Sequence, residues 1–597
     1  MKYRVITGTL KARTAVHVGS GEGNELADLL LRRDTKGNLL IPGTAIAGAL
    51  RAMLTRLAPR LGGGVCVEML PPKERAARER KGLKGCNCAV CRLFGDVEPS
   101  DGTGGPVEEQ KESASAASRL LVFNACPTEE TSAQTLVQDG VGIDRASGTA
   151  ARATGAKFDL ETLPPGAKFT LRIELRETDL GERVEDERLL AVALAEWQAG
   201  RVHLGGGVAR GLGAFELKNV QYGECDLDDA DGIMAFLRDS MPWKHVDEEK
   251  AWLQDQVDGA MDNIKTPEKV WQQAINKYGL KKEQAQLLPL AQGWTEWTFT
   301  LQAEGPFLTN DTTSSSMSGF DHAPLLAMSR DWTKPKLPGS SLRGVLRSHA
   351  ERITRTLVTH QALARDDMTN YFLSHCPACD PLSVGKANAP LESCDSLLRH
   401  GKHVSENQEV APEQLCLACQ LFGSTRRGSR LIVEDAPYAG DRPPVYKMLD
   451  FLAIDRFTGG GAEGFKFDAL ALWKPTFAVR MRLEDPQDWE LGWLTLILRD
   501  LAEGWLRVGF GAAKGFGQVT ISKGTLRRAT LDAARAKRGQ PSLFVVDEQP
   551  LLDWSRASVW VKAFNEKVQG FEREAGMSLP ADSYFGVVDD IYGGNVQ

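Results

Sequence analysis

At 597 residues the chain is too long for a single hydrophobic core, so about two to four domains are expected. Its 42% hydrophobic and 25% charged content is that of a globular protein and excludes a disordered or fibrous chain. A net charge of −7 excludes retention of polyanions by bulk charge but leaves room for a local basic groove, and no apolar run approaches the ~20 residues of a membrane span.

The N-terminus, MKYRVITGTLKARTAVHV, alternates as a strand and has no signal-peptide apolar block, so a cytoplasmic protein is expected. A polar loop, GSGEGNELADLLLRRD (19–34), carries Asp28 just before an apolar triplet. IPGTAIAGALR (41–51) then reads as a turn that opens a helix. Thr44 stands where it would cap the first free N–H groups, and Ile46, Ala49, Leu50, Met53, Leu54 and Leu57 recur along one helical face. Cys66, Cys86, Cys88 and Cys91 follow, the last pair in CAVCRLFG (88–95). RLLVFNA (119–125) is a strand. GIDRASGTAARATGAKFD (142–159) is too small and polar for a core and reads as an extended hairpin whose edge is basic through Arg145, Arg152 and Lys157. A further strand and helix lead to a Gly-rich turn around Arg210 in HLGGGVARGLGAFEL (203–217).

The same order recurs from residue 294: a strand (WTEWTFTLQAEGPFLT), a polar loop with Asp321 in GFDHAPLL, then LPGSSLRGVLR (337–347). In this copy Ser340 or Ser341 would cap the helix, and Arg343 and Arg347 lie one turn apart beside a helix start able to hold a phosphate. CLACQLFG (416–423), RLIVEDA (430–436), AIDRFTGGGAEGFKFD (453–468, with Arg456 and Lys466) and RVGFGAAKGFGQVTI (507–521, with Lys514) complete the echo. The chain is a tandem duplication. Each half has the strand–helix–strand–strand–helix–strand order of a ferredoxin-like, split βαβ sheet in an α+β fold. The expected division is 1–224, an acidic helical connector at 225–293, 294–523, and a C-terminal extension at 524–597.

The cysteines are clustered in a chain without an export signal, which suggests metal rather than disulfides. Cys66, Cys86, Cys88 and Cys91 offer four thiolates to one tetrahedral Zn²⁺, and Cys376, Cys379, Cys416 and Cys419 to a second. Cys394, His375, His400 and His403 are possible substitutes in the second set. Four thiolates leave no open position for water, so both sites would be structural. Cys126 and Cys225 stand alone and are expected in the core. Neither Gly-rich turn is a P-loop, because Arg210 and Lys514 are each followed by Gly. Each is either a tight connecting turn or a backbone cradle for a phosphate.

Through PGTAIAG and PGSSLRG, the Cys-x2-Cys before LFG, the IDR segments, and GGVARGLG and GFGAAKGFG, the chain resembles the RAMP superfamily. More narrowly, it is similar to the backbone subunits of type III CRISPR effector complexes, with two subunits fused as in type III-D variants. The resemblance implies a modified RNA-recognition fold shaped like a right hand, with other RAMP backbone subunits and the large and small subunits as partners. Its palm would bind guide-RNA phosphates, here through Thr44, Arg51, Ser340, Ser341, Arg343, Arg347, Arg210 and Lys514. The hairpin with Arg145, Arg152 and Arg456 would be the thumb that displaces a nucleotide of the guide–target duplex. One Asp per acidic loop, Asp28 and Asp321, would cut complementary target RNA by 2′-OH transesterification with Mg²⁺ or another divalent ion. Asp321 has the usual Gly-x-Asp before a Pro and an apolar pair, whereas the loop of Asp28 lacks both Gly and Pro. Two other roles are implied by relatives: a non-catalytic guide scaffold, or a guide-processing ribonuclease with His203 as its histidine.

Overall fold

The computed structural model of the chain describes residues 2–25, 27–80, 85–96, 117–129, 131, 135–144, 149–151, 157–176, 184–238, 244–245, 249–327, 334–380, 393–400, 410–540 and 542–573. Two antiparallel sheets organise these residues. In the first, the strands lie in the order Leu120–Val122, Lys168–Arg176, Lys2–Ala12, Ala214–Asp226, Val202–His203. In the second, the order is Leu431–Val433, Thr476–Glu484, Gly293–Ala303, Val519–Thr530, Val545–Pro550. Numbered by their place in each half, the four main strands therefore run 2-3-1-4 in both, with a helix after the first and after the third.

The alternation of the first strand of each half explains its central place. Trp297, Phe299, Leu301 and Ala303 fall on one face and enter the core, as do Ile6 and Leu10 of the first copy. Helix Gly43–Leu57 lays Ile46, Leu50, Leu54 and Leu57 on that face, and helix Gly339–Ala362 does the same with Leu342, Leu346 and Ala350. Each such side chain contributes roughly 1.5–3 kcal/mol by leaving water. Helices Val184–Gln198 and Asp488–Ala502 complete the layer.

The connector and the C-terminal extension are parts of these two cores. Val257, Ala260, Met261, Val270 and Ala274 from the connector helices Glu249–Met261 and Pro267–Tyr278 join the first core, as do Leu543 and Phe544 from beyond the second half. Buried Arg60 ties them together. Its guanidinium donates to the carbonyls of Lys265, Ala291 and Leu531 at 2.6, 2.8 and 2.9 Å. Strand Val519–Thr530 runs through position 523, strand Val545–Pro550 adds a fifth strand, and helix Trp554–Gln569 packs on Asp488–Ala502. Cys225 is buried as expected, but Cys126 is exposed, although its carbonyl accepts the Thr170 amide.

The halves meet head to tail. Arg13 pairs with Glu434, whose carboxylate also lies 4.0 Å from Arg480 Nε and from His203 Nε2. Arg482 donates to the Arg201 carbonyl at 2.9 Å. Here backbone touches backbone. At Gly211 (φ +100°) a Cβ would come within 2.8 Å of the Asp435 nitrogen, and at Gly339 within 2.1 Å of the Val433 carbonyl and 3.0 Å of the Arg210 carbonyl. The first half's Gly-rich turn thus lies against the second half's Pro-Gly helix start.

Candidate functional site

The two loop aspartates occupy equivalent positions. In the first half the chain beside Asp28 runs as a short parallel partner of the hairpin strand Lys157–Thr162, with Leu29 bridged to Leu160. Asp28 Oδ2 accepts the amide of Asp159 at 2.8 Å. In the second half His322 is bridged in parallel to Ala469 of strand Gly461–Trp473, and Asp321 Oδ2 accepts the amide of Asp468 at 2.9 Å. Asp468 Oδ1 returns the contact by accepting the amide of Asp321 at 2.8 Å. Asp28 and Asp321 are both exposed, and the second oxygen of each carries no hydrogen bond among the described residues.

A third carboxylate belongs to each group. Asp139 lies directly across the hairpin ladder from Asp159, and Asp450 from Asp468. Partial burial and the Asp139 carboxylate push the Asp159 carboxyl above the usual range, the direction expected when two acids share a proton. Thr312 of the second half donates to Asp139, so the first group abuts helix Thr312–Ser318. That helix and Asp321 line an open recess of about 420 Å³, with Ser315, Ser316, Gly319 and Phe320.

The Gly-rich turns present their cations to the same hairpins. Arg210 sits over the Phe158 ring at 5.3 Å and Lys514 over the Phe467 ring at 4.1 Å. The glycines meet a steric demand. A Cβ on Gly205 (φ +88°) would lie 2.1 Å from the His17 carbonyl, and on Gly509 (φ +92°) 2.4 Å from the Leu308 carbonyl. His322, beside Asp321, packs on Phe510, and burial followed by the Lys514 charge holds its pKa below the ordinary value.

The helix starts differ from expectation. No side chain of the turn caps either helix; Pro42 and Pro338 occupy the cap positions. The first amide instead donates to a side chain from the neighbouring strand end, Gly43 to Asn124 Oδ1 and Gly339 to Asp435 Oδ1, both at 2.9 Å. Thr44 and Ser340 are exposed and Ser341 half-buried. Asp435 also pairs with Lys336 at 2.8 Å, so a carboxylate already lies at the second helix start. Arg343 is mostly buried, donates to the Phe422 carbonyl, and leaves Nε unpaired among the described residues. Burial, then the Arg347 and Arg210 charges, push its pKa down to about 9.

Arg51 and Arg347, the shared last residue of the duplicated motif, point elsewhere. Arg51 Nη2 lies 3.9 Å from Cys91 Sγ and Arg347 Nη2 3.5 Å from Cys419 Sγ. Both reach towards the cysteine clusters, Arg347 from a buried position and Arg51 from a half-buried one. The structure gathers Cys66, Cys86, Cys88 and Cys91 in one group and Cys379, Cys394, Cys416 and Cys419 in the other, with sulfurs within 4.8 Å of one another. This corrects the second set: Cys394 replaces Cys376, whose buried thiol turns to the Ala378 carbonyl at 3.3 Å. Sulfur separations of 3.7 Å (Cys66–Cys91) and 3.5 Å (Cys379–Cys419) approach the ~3.8 Å edge of a tetrahedron of Zn–S bonds. Both groups could hold zinc.

Arg456 is exposed near the tip of the second hairpin, beside fully exposed Phe457. Arg145 and Arg152 lie outside the described residues. His203 has a side chain only 6% exposed, sealed in the joint, which removes it as the exposed histidine of a guide-processing enzyme. Asp159, Asp468, Asp139 and Asp450 were missed from sequence. The Lys-Phe-Asp that ends both hairpin segments was the visible signal for Asp159 and Asp468; Asp139 and Asp450 carried none.

A hairpin-bearing sheet, an acidic loop and a cation-tipped glycine turn, built twice, define a duplicated protein of one class. The RAMP superfamily model matches residues 9–216 and again 323–520, so the chain belongs to the RAMP superfamily, twice over. It is similar to the protein named CRISPR system Cms endoribonuclease Csm3 of Methanothermobacter thermautotrophicus, at 29% identity over 233 residues, 37% of this chain and 86% of that relative.

Proposed function

We propose that the chain is a guide-RNA-binding backbone subunit of a type III CRISPR effector complex that cuts complementary target RNA at two places, one per half. The similarity to Csm3, an endoribonuclease by name, supports the class of activity. The observation that carries the two-site reading is the repetition of one geometry. Asp28 and Asp321 each keep one carboxylate oxygen fixed by a hairpin amide and the other unbonded among the described residues. Each half is then one ferredoxin-like hand, its hairpin a thumb, and its partners are guide RNA, target RNA, further RAMP subunits and the large and small subunits. A cytoplasmic assembly belongs to the same reading, and no described helix is long and apolar enough to cross a membrane.

In such a cut the target's 2′-oxygen attacks the adjacent phosphorus while the bond to the 5′-oxygen breaks, leaving a cyclic phosphate and a 5′-hydroxyl. The unbonded oxygen of Asp28 or Asp321 would take the 2′-OH proton or hold the hydroxyl in line. A divalent ion, when bound, would offset charge on the phosphoryl oxygens. The two cysteine groups would hold structural zinc.

The test uses the assembled complex with guide RNA, labelled complementary RNA and Mg²⁺. Asp28→Ala and Asp321→Ala should each abolish one distinct cut while binding persists, and the double variant should abolish both. Undiminished cutting by the double variant would overturn the reading, as would cleavage of a target with 2′-deoxy residues at the cut positions.

A further inference from the structure

The Lys-Phe-Asp at the base of each hairpin makes the same two contacts in both halves. Its Phe lies under the cation of the Gly-rich turn, Phe158 under Arg210 and Phe467 under Lys514. Its Asp amide holds the loop carboxylate, Asp159 that of Asp28 and Asp468 that of Asp321. Each ring is itself seated, by different means. Phe158 folds over Gly140, where a Cβ would lie 2.2 Å from the ring, whereas Phe467 stacks on Phe451 at 4.9 Å and 9°. The second half adds the reciprocal bond from the Asp321 amide to Asp468 Oδ1. Adjacent residues of one strand thus grip two separate segments, the acidic loop and the glycine turn.

We infer that Phe158–Asp159 and Phe467–Asp468 are positioning residues that set each loop carboxylate against the cation of its Gly-rich turn, so that both address one phosphodiester. The inference rests on the proposed cleavage. It adds that the cation over the ring, Arg210 or Lys514, faces the phosphoryl oxygens as charge develops there. Neither Asp159 nor Asp468 needs to touch RNA. Each works through the amide it donates and, in the second half, the oxygen that accepts.

The twin site supplies an internal control. In the assembled complex, Asp468→Ala, Asp468→Asn and Phe467→Leu are compared for amide exchange at Asp321, RNA affinity, and single-turnover rate at each cut. Asp468→Ala should speed exchange of the Asp321 amide at least ~10-fold and slow the second cut roughly 10- to 100-fold, the scale set by small misplacements. RNA affinity should stay within about twofold and the first cut should be unchanged. Asp468→Asn keeps an oxygen acceptor and should restore both readouts to within about threefold. Phe467→Leu should slow the same cut about tenfold while the Asp321 amide stays protected. Unaltered exchange in Asp468→Ala, or both cuts falling together, would overturn the inference. If the unaltered complex does not cut, the cleavage reading falls alone, and the exchange measurement still decides whether Asp468 holds the loop.

Discussion

Arg347 shows how one residue type can be read two ways from sequence. It recurs one turn beyond Arg343 beside a helix start, which suggested phosphate, yet its guanidinium pairs with Glu351 and reaches Cys419 Sγ. Helical spacing was visible in the sequence; which neighbour fills the space beside the helix was not, because the cysteine knuckle comes from a segment some 70 residues away. The same limit produced the error at Cys376, where Cys-x2-Cys spacing was right for a knuckle but only Cys379 of that pair enters the group. A cation beside four thiolates offsets the dianionic charge of a zinc–tetrathiolate centre. Arg347→Met should therefore weaken zinc retention by roughly 10- to 100-fold, and Arg51→Met, at a longer distance, by less. Zinc release to a chromogenic chelator measures both, and equal release from all three proteins would contradict it.

At the scale of elements, most of the architecture was legible. Strands and helices followed their periods, and the low-complexity IDR runs proved to border hairpins, Leu136–Val141 with Lys157–Thr162 and Tyr446–Ile454 with Gly461–Trp473. The helix caps were not legible, because Asn124 and Asp435 arrive from strands distant in sequence to do what Thr44 and Ser340 were placed to do locally. The second hairpin also shows where polarity alone misleads. Among small polar residues it exposes Leu452, Ile454 and Phe465, and Phe457 wholly. On the proposed reading this tip is the thumb, and Phe457 would stack on a base. Phe457→Ala should leave stability within about 0.5 kcal/mol and weaken binding of guide–target RNA by about 1–3 kcal/mol, the usual loss of a base-stacking aromatic. Thermal unfolding and RNA titration separate the two effects.

At the scale of the whole molecule, duplication was plain in the sequence, but the joint between copies was not. Its members are ordinary charged residues whose meeting depends on the fold. Burial, then Arg482, Arg13 and Arg480, hold His203 well below its usual pKa, with the Glu434 carboxylate at 4.0 Å as the opposing charge. The unfolded chain takes a proton there near pH 6.5 and the folded chain does not, so stability falls as pH drops below that value. The loss is bounded at about 1.4 kcal/mol per pH unit. Denaturant titrations at pH 7.5 and 5.5 with zinc held constant should show this, and His203→Gln should flatten the difference.

The same joint fixes a length. Arg13 and Glu434 close it, but their counterparts on the outer faces are Glu304 and Phe123, so neither end of the chain repeats the charge pair found at its centre. Two separate subunits would set their spacing afresh at every docking. Here one chain carries both loops across a joint closed by Arg13 and Glu434, so on the proposed two-site reading the fragment released between the cuts has one set length, as tooth pitch is set in a gear.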